Sequence, residues 1–291
     1  MSAMRLFNPE PPRPCDENTD FLVTVISNSN ETKQREDVRR TWASEANRNT
    51  TTKVVFIVAR PKAGNYGREF WAEADKYDDI VMANFRDDYH NLSMKSYSAL
   101  KYHLNYCPQA RCLLKIDTDV VANLRGLENL CRRNGDSPLI TGNGWTTGGW
   151  GDLVRNDSSK HYVPKFVYNA TYPPYVSGPG YLLSGCSISA LLLKALRSTP
   201  FHTSENFRRL AEDVVVTGIA RSIAEVPLAI NGGFEHFDPR FRYWCPSEGR
   251  PTPLLLHHAE PLEEYWAKMK AKMAEADSDY VWLKACVFGF S

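Results

Sequence analysis

Short apolar runs alternate with longer polar segments through the first half of the chain. The runs are rich in β-branched residues, and they predict strands over residues 21–26, 53–59, 79–85 and 112–117. Apolar positions at helical spacing predict helices over Leu92–Tyr106 and Leu124–Cys131. Strands that alternate with helices are typical of a Rossmann-like α/β fold, in which helices flank a mostly parallel sheet. Because ligands of such sheets bind beyond the carboxyl ends of the strands, residues that directly follow a strand are candidates for function.

The second half has a less regular pattern. Residues 142–151 and the Tyr- and Pro-rich residues 168–185 are predicted as loops. Helices are predicted over Ser187–Arg197, Arg209–Ile223 and Leu262–Ala276. No internal repeat or change of composition requires a second domain. The sequence therefore predicts a proline-rich stem over residues 1–19, a single α/β domain over residues 20–276 and a C-terminal tail over residues 277–291.

Composition narrows the class of protein without identifying it. The 291 residues are 43% hydrophobic and 24% charged, and the formal net charge is +1. These values are ordinary for a globular protein and do not indicate a nucleic-acid partner. No stretch approaches the roughly 20 apolar residues that a membrane helix needs, and the N-terminus lacks the apolar core of a signal peptide.

Sequons and cysteines bear on the compartment. Five Asn-x-Ser/Thr sequons begin at Asn30, Asn49, Asn91, Asn156 and Asn169. The 7 cysteines allow up to three disulfides and one free thiol, and their spacing is not that of a CxxC metal site. A cytosolic protein with scattered thiols is the alternative. We expect a lumenal domain whose membrane anchor is absent from this chain.

Two carboxylates follow the fourth predicted strand, in the sequence Asp117-Thr118-Asp119. Carboxylates at this spacing hold a hard divalent cation that also takes oxygens from a substrate diphosphate. A strand-end turn is the alternative. The same spacing recurs at Asp277 and Asp279, in the polar tail, where no strand precedes it. The position after a strand therefore marks Asp117 and Asp119 as the candidate site.

Further candidates lie in the second half. Glu212-Asp213 precedes an apolar run, where the pair would either complement a helix dipole or include a general base. His257-His258 follows a short leucine run and would supply an imidazole to a metal, or be ordinary histidines.

The glycine-rich residues 172–185 lack the pattern of a phosphate loop. Their aromatic residues predict a wall for a sugar or a nucleoside. A β-hairpin with glycines at its turns is the alternative.

In order along the chain, these segments resemble the motifs of the β1,3-galactosyltransferase family, glycosyltransferase family 31, which also includes β1,3-N-acetylglucosaminyl- and N-acetylgalactosaminyltransferases. The resemblance covers roughly residues 21–266. The five segments are REDVRRTW (residues 35–42), FRDDYHNLSMKS (85–96), KIDTDVVAN (115–123), YPPYVSGPGYLLS (172–184) and EDVVVTG (212–218). The last of them carries one residue more before its glycine than the family motif.

The resemblance implies a GT-A fold and transfer of a sugar, with inversion, from a UDP-sugar to a hydroxyl of a glycan on a glycoprotein or glycolipid. It implies that Asp119, assisted by Asp117, holds Mn²⁺ with the UDP diphosphate. His257, or less so His258, would be the metal histidine. Asp213 would be the base. It also implies a Golgi location and a membrane-anchored form.

Other residues of the motifs carry supporting expectations. Arg39 and Lys95 are expected to contact the diphosphate or uridine. Glu212 and three residues of the glycine-rich segment (Gly178, Gly180 and Tyr181) are expected to support the site.

One departure concerns the acidic triplet, since Thr118 stands where the family usually has Asp. We expect metal binding to be retained. Two alternatives stay open at the level of sequence. One is a glycan-binding relative without turnover, and the other is a phosphatase of the haloacid-dehalogenase type. Neither the donor sugar nor the acceptor is identified by the sequence.

Overall fold

The computed structural model describes residues 6–48, 51–145, 153–159, 162–235 and 253–275. Within these ranges, the chain forms a seven-stranded sheet and a three-stranded sheet. Ten strands build them: β1 Phe21–Ser27, β2 Thr52–Arg60, β3 Ile80–Arg86, β4 Cys112–Asp117, β5 Val120–Ala122, β6 Leu139–Trp145, β7 Tyr175–Ser184, β8 Leu228–Ile230, β9 Phe234–Glu235 and β10 Leu255–His257.

The larger sheet has the strand order β3-β2-β1-β4-β7-β6-β8. β1 pairs in parallel with β2 and β4, and Val25 lies opposite both Phe56 and Ile116. Only β7 runs against its two neighbours, β4 and β6. The predicted mostly parallel sheet is therefore confirmed. The smaller sheet has the order β5-β10-β9 and begins directly after β4.

Helices cover both faces of the sheet. Their bounds are α1 Thr32–Arg40, α2 Arg68–Tyr77, α3 Leu92–Tyr106, α4 Leu124–Asn134, α5 Ile188–Arg197, α6 Glu205–Arg208, α7 Arg221–Ile223 and α8 Leu262–Glu275. β1 shows how its sequence directs this packing, because its side chains alternate between faces. Leu22 and Ile26 pack in a core with α3 and α5. Val23 and Val25 pack in a second core with α1, α4 and α8.

Two predicted loops contain strands. β6 includes residues 142–145, and β7 lies in the middle of the glycine-rich segment. Glycines weaken the sequence signal of a strand, but they also mark places where neighbouring chains approach closely. A Cβ on Gly142 would lie 2.9 Å from the Cβ of Val176 on the adjacent strand. Close packing of β6 against β7 therefore explains Gly142. Residues 146–151 of the first predicted loop lie outside the described ranges.

The helix predicted over Arg209–Ile223 has a different form. Residues Val214–Ala220 form a π-helix, and α7 continues from it. The extra residue in the EDVVVTG segment coincides with this π-helix. A π-helix takes one residue more per hydrogen-bonded turn than an α-helix does, so it accommodates the insertion without shifting the flanking residues.

The predicted stem is packed onto the domain over its described part. Phe7 is buried and bridges Ala83 of β3, while the backbone N–H of Asn8 donates to the carbonyl of Met82. Cys15 forms a disulfide with Cys107 at the end of α3. Residues 6–8 therefore cover the edge strand of the sheet, which would otherwise expose unpaired backbone groups.

A second disulfide links Cys112 to Cys131, and Cys186 carries a free, exposed thiol. Cys245 and Cys286 lie outside the described ranges. None of the described helices combines the length and the apolar character needed to cross a membrane.

Candidate active site

Three side chains of types that could hold a metal ion meet where the large sheet passes into the small one. Asp119 lies in the turn between β4 and β5, and His257 ends β10 opposite Val120 of β5. The next residue, His258, also turns towards Asp119. One ligand atom from each of the three lies within 4.8 Å of the others. Pairing of β10 with β5 therefore brings together residues that are 138 positions apart in the sequence (119 to 257).

The geometry of this cluster suits a divalent ion. Nε2 of His257 lies 3.2 Å from Oδ2 of Asp119, and Nδ1 of His258 lies 3.6 Å from the same oxygen. Two ligands held at about 2.1 Å by one ion are separated by roughly 3.0–3.4 Å. Burial raises the pKa of Asp119, but the hydrogen bond and charge of His257 and the charge of His258 hold this pKa below its ordinary value. Asp119 is therefore an ionised carboxylate.

Asp117 ends β4 and faces a different partner. Its Oδ1 accepts a hydrogen bond from the ammonium of Lys115 at 2.7 Å, and it is not one of the three clustered ligands. Burial raises the pKa of Asp117, against the opposing effect of Lys115. The structure therefore brings together Asp119 and His257, which the family resemblance implied as metal ligands. Asp117 lies beside them and accepts a hydrogen bond from Lys115.

Asp213 lies on the other side of Lys115, at the start of the π-helix. Its Oδ2 accepts the backbone N–H of Gly178 at 3.0 Å, and its Oδ1 accepts the N–H of Val214 at 2.9 Å. Burial, followed by the negative charge of Glu212, raises the pKa of Asp213 from 3.8 to about 7. A carboxylate with a pKa near neutrality is suited to accept a proton in a reaction.

Glu212 and Tyr181 form the buried support of this carboxylate. The hydroxyl of Tyr181 donates to Oε1 of Glu212 at 2.6 Å. The ammonium of Lys115 lies 3.7 Å from Oε2 of Glu212 and donates to the carbonyl of Gly178 at 2.5 Å. Lys115 therefore connects the strand end at Asp117 with the segment that holds Asp213.

The two glycines of β7 lie close to side chains of other elements. A Cβ on Gly178 would lie 3.3 Å from Oδ2 of Asp213, and a Cβ on Gly180 would overlap Leu255 of β10. Gly180 thus lets β7 pass directly beneath the strand that carries His257. Their role as supporting residues has this steric basis.

Lys95 and Arg39 have structural partners. The buried ammonium of Lys95 bonds the carbonyl of Ser27, Oδ1 of Asn28 and the carboxylate of Asp87. It holds the ends of β1 and β3 together, beside the site. Arg39 forms ion pairs with Glu73 and Asp79.

The position of Arg39 differs from the one expected. Asp79 precedes β3, which β2 and β1 separate from β4. At about 4.8 Å per strand, that pair lies roughly 14 Å across the sheet from Asp117. A diphosphate contact for Arg39 is therefore not supported by the structure.

Two residues of the site were missed by reasoning from the sequence. Lys115 belongs to the motif KIDTDVVAN, but the motif does not show that its ammonium faces two carboxylates. That arrangement depends on the fold, which brings Glu212 close to β4. Glu31 accepts a hydrogen bond from Thr118 Oγ1 at 3.3 Å. An aspartate at position 118 would bring a second negative charge towards Glu31, so the threonine suits this neighbour.

A carboxylate–imidazole cluster and a separate carboxylate with a raised pKa therefore lie at the carboxyl edge of a mostly parallel sheet, where the ligands of such sheets bind. The comparisons with known proteins specify the family. Residues 33–229 match the galactosyltransferase family, and the chain belongs to it.

Individual relatives agree with this assignment. The chain is 29% identical to β-1,3-galactosyltransferase 1 of Homo sapiens over 269 residues, which cover 90% of this chain and 77% of that protein. It is 26% identical to human N-acetyllactosaminide β-1,3-N-acetylglucosaminyltransferase 2, with 89% of this chain and 65% of that protein covered. The solved galactosyltransferase LgtC, in complex with donor and acceptor sugar analogs, is similar at a TM-score of 0.44 and 14% identity, over 87% of this chain and 95% of that one. The family assignment rests on the sequence match.

Proposed function

We propose that the protein transfers galactose or an N-acetylhexosamine from a UDP-sugar to a glycan hydroxyl, in β1,3 linkage and with inversion at the anomeric carbon. The observation that carries this proposal is the position of Asp213. The pKa of this carboxylate is raised to about 7. Lys115 and Gly178 link it to the end of β4, beside the cluster of Asp119 and the two histidines. The names of the relatives support β1,3 transfer of galactose or N-acetylglucosamine.

Asp119 and His257 would hold Mn²⁺ together with the diphosphate of UDP, and Asp117 would assist from the adjoining strand end. The bound ion would offset negative charge that develops on the departing UDP. The contact of Asp117 with Lys115 supports an assisting role, because Lys115 fixes this carboxylate beside the cluster.

Asp213 would act as the general base. Its carboxylate takes the proton of the acceptor hydroxyl while the acceptor oxygen bonds the anomeric carbon, and the bond from that carbon to the diphosphate oxygen breaks. This single displacement needs one base and no second carboxylate as nucleophile. Two backbone N–H groups orient the carboxylate for this purpose.

The lumen of the Golgi is the proposed location, with a glycan of a glycoprotein or glycolipid as acceptor. The disulfides Cys15–Cys107 and Cys112–Cys131 support an oxidising compartment. Family members that are anchored in the membrane would face the same lumen.

The test compares wild type with Asp119→Ala in two assays, calorimetric binding of UDP with Mn²⁺ and release of UDP from candidate UDP-sugars. We expect the variant to lose Mn²⁺-dependent binding, as wild type does in EDTA. Asp75→Ala, on the exposed face of α2, is the matched control and should behave as wild type. Equal binding by Asp119→Ala and wild type would contradict the metal assignment. Tight UDP binding by wild type without release from any sugar donor would favour a glycan-binding relative.

A further inference from the structure

His257 and His258 are consecutive, yet both imidazoles face the same carboxylate oxygen. Successive side chains of a strand point to opposite faces, so the residue after His257 would normally turn away from Asp119. His258 has a φ of +57°, in the left-handed region that few residues other than glycine adopt. This backbone conformation reverses the alternation and returns the second imidazole to the side of the first.

Backbone hydrogen bonds hold the turn against the acidic segment. The N–H of Ala259 donates to the carbonyl of Asp119 at 3.1 Å, and the N–H of Glu260 donates to the carbonyl of His258 at 3.0 Å. The two imidazole rings stack with their centroids 3.7 Å apart. The position of His258 relative to Asp119 is therefore fixed by the fold on both sides of the histidine.

Exposure of the two histidines differs in a way that suits a substrate-binding metal. The His257 side chain is 11% exposed, whereas that of His258 is 66% exposed. Two imidazoles and one carboxylate leave further coordination positions on the solvent side, where oxygens of a ligand would enter. A site with three protein ligands and open positions is the arrangement of catalytic metal centres.

We propose that His258 is a second imidazole ligand of the metal, so that the ion is held by two histidines and one carboxylate. This inference rests on the metal site in the proposed function and extends it to metal preference. Imidazole suits ions such as Co²⁺ and Zn²⁺, whereas Mg²⁺ prefers an all-oxygen environment. A site with two imidazoles therefore favours Co²⁺ over Mg²⁺ more strongly than a site with one imidazole does.

The experiment measures direct binding of Co²⁺ and of Mg²⁺ to the full chain by calorimetry, together with the visible absorption of bound Co²⁺. The variant is His258→Asn, because asparagine tolerates the left-handed backbone and its shorter side chain lacks the imidazole. We expect Co²⁺ affinity to fall at least about tenfold, because even the loss of an outer-shell partner of a ligand typically costs about 10–100-fold. Mg²⁺ affinity should change by less than about threefold, since imidazole contributes little to it. The Co²⁺ absorption bands should shift.

Controls separate this inference from the proposed function. His202→Asn, at an exposed position of a 3₁₀ turn apart from the site, should bind both ions as wild type does. Asp119→Ala should lose both ions. If His258→Asn keeps the Co²⁺ affinity and spectrum of wild type while Asp119→Ala loses them, His258 is not a ligand and the proposed metal site still stands. If Asp119→Ala also binds as wild type, the metal assignment of the proposed function fails as well.

Discussion

The surroundings of Asp213 make this carboxylate both basic and well oriented. Changing Asp213 to Asn removes the basicity and preserves the size of the side chain. We expect the transfer rate to fall by at least about 10²-fold, the lower end for loss of a general base. UDP binding should persist, because the metal-ligating residues are untouched. Initial rates of UDP release with acceptor, beside calorimetric UDP titration, check this. Transfer at nearly the wild-type rate would leave Asp213 only a structural role, through its hydrogen bonds with the backbone N–H groups of Gly178 and Val214.

The pH dependence of the transfer rate follows from the same residue. Because the base must be ionised, the rate should rise with pH and level off above the pKa of Asp213, which is about 7. Glu212 is one cause of the raised pKa, so Glu212→Gln should move the rising limb to lower pH. Rates are measured from pH 5 to 9 with saturating metal and donor. Glu205→Gln, on an exposed side chain, should leave the limb in place. An unshifted limb in Glu212→Gln would contradict this electrostatic role.

Stability should show the opposite dependence on pH. A carboxyl whose pKa is raised on folding binds its proton more tightly in the folded state, so ionising it lowers the free energy of unfolding. Asp213 therefore stabilises less as pH rises from about 4 to about 7. Asp213→Asn cannot ionise, and the fall in melting temperature over this range should be shallower in the variant. If the melting temperature fell equally with pH in the two proteins, the assignment of the raised pKa to Asp213 would be contradicted.

At the scale of elements, β7 and the π-helix together position the base. Thr217 is fully buried between them: its Oγ1 accepts the N–H of Val176 at 3.1 Å and lies 2.7 Å from the carbonyl of Asp213. Thr217→Val keeps the shape and leaves a buried N–H without its acceptor, which costs about 1–3 kcal/mol. We expect a lower free energy of unfolding in urea and a lower transfer rate, with UDP binding kept. Thr203→Val, at an exposed turn, is the control.

The sequence predicted most of the parallel sheet because the strands β1 to β4 are short apolar runs whose signal is local. It predicted loops over β6 and β7, with a β-hairpin as the alternative for the glycine-rich segment. Glycines weaken the signal of a strand, and the residues that Gly142 and Gly178 face are distant in the sequence. The sequence also predicted an ordinary α-helix where the structure has a π-helix. Periodicity alone does not distinguish the two, although the extra residue before Gly218 was a usable sign.

The candidate site shows the same division between local and distant information. The motifs in family order pointed to Asp119 and Asp213, and the histidine pair after a short leucine run pointed to His257 or His258. Arg39 is paired with Asp79, which lies 40 positions further along the chain. No local pattern could therefore show that this arginine already has a partner. Lys115 lies on the same face of β4 as Asp117, as their spacing in a strand predicts. Its contact with Glu212, however, depends on how the distant π-helix packs against the sheet.

At the scale of the whole molecule, the two disulfides lie away from the carboxyl edge that carries the site. Cys112 begins β4 and Cys107 ends the helix before it, so both mark the amino edge of the sheet. The Cys15–Cys107 bond closes the longer loop, with a sequence separation of 92 against 19 for Cys112–Cys131. Loop-closure entropy assigns these bonds about 4.6 and about 3 kcal/mol of stabilisation.

The Cys15–Cys107 bond should therefore matter for stability and not for binding. We expect the double variant Cys15→Ala and Cys107→Ala to lose about 2–4 kcal/mol of unfolding free energy, the usual range for a native disulfide. Its affinity for UDP with Mn²⁺ should match wild type, because residues 6–8 pair with the edge strand β3, which β2 and β1 separate from β4. Urea unfolding and calorimetry measure the two quantities. Cys186→Ser, at the exposed free thiol, should change neither. If the double variant is folded but binds UDP more weakly, the N-terminal segment is coupled to the site across the sheet, contrary to this expectation.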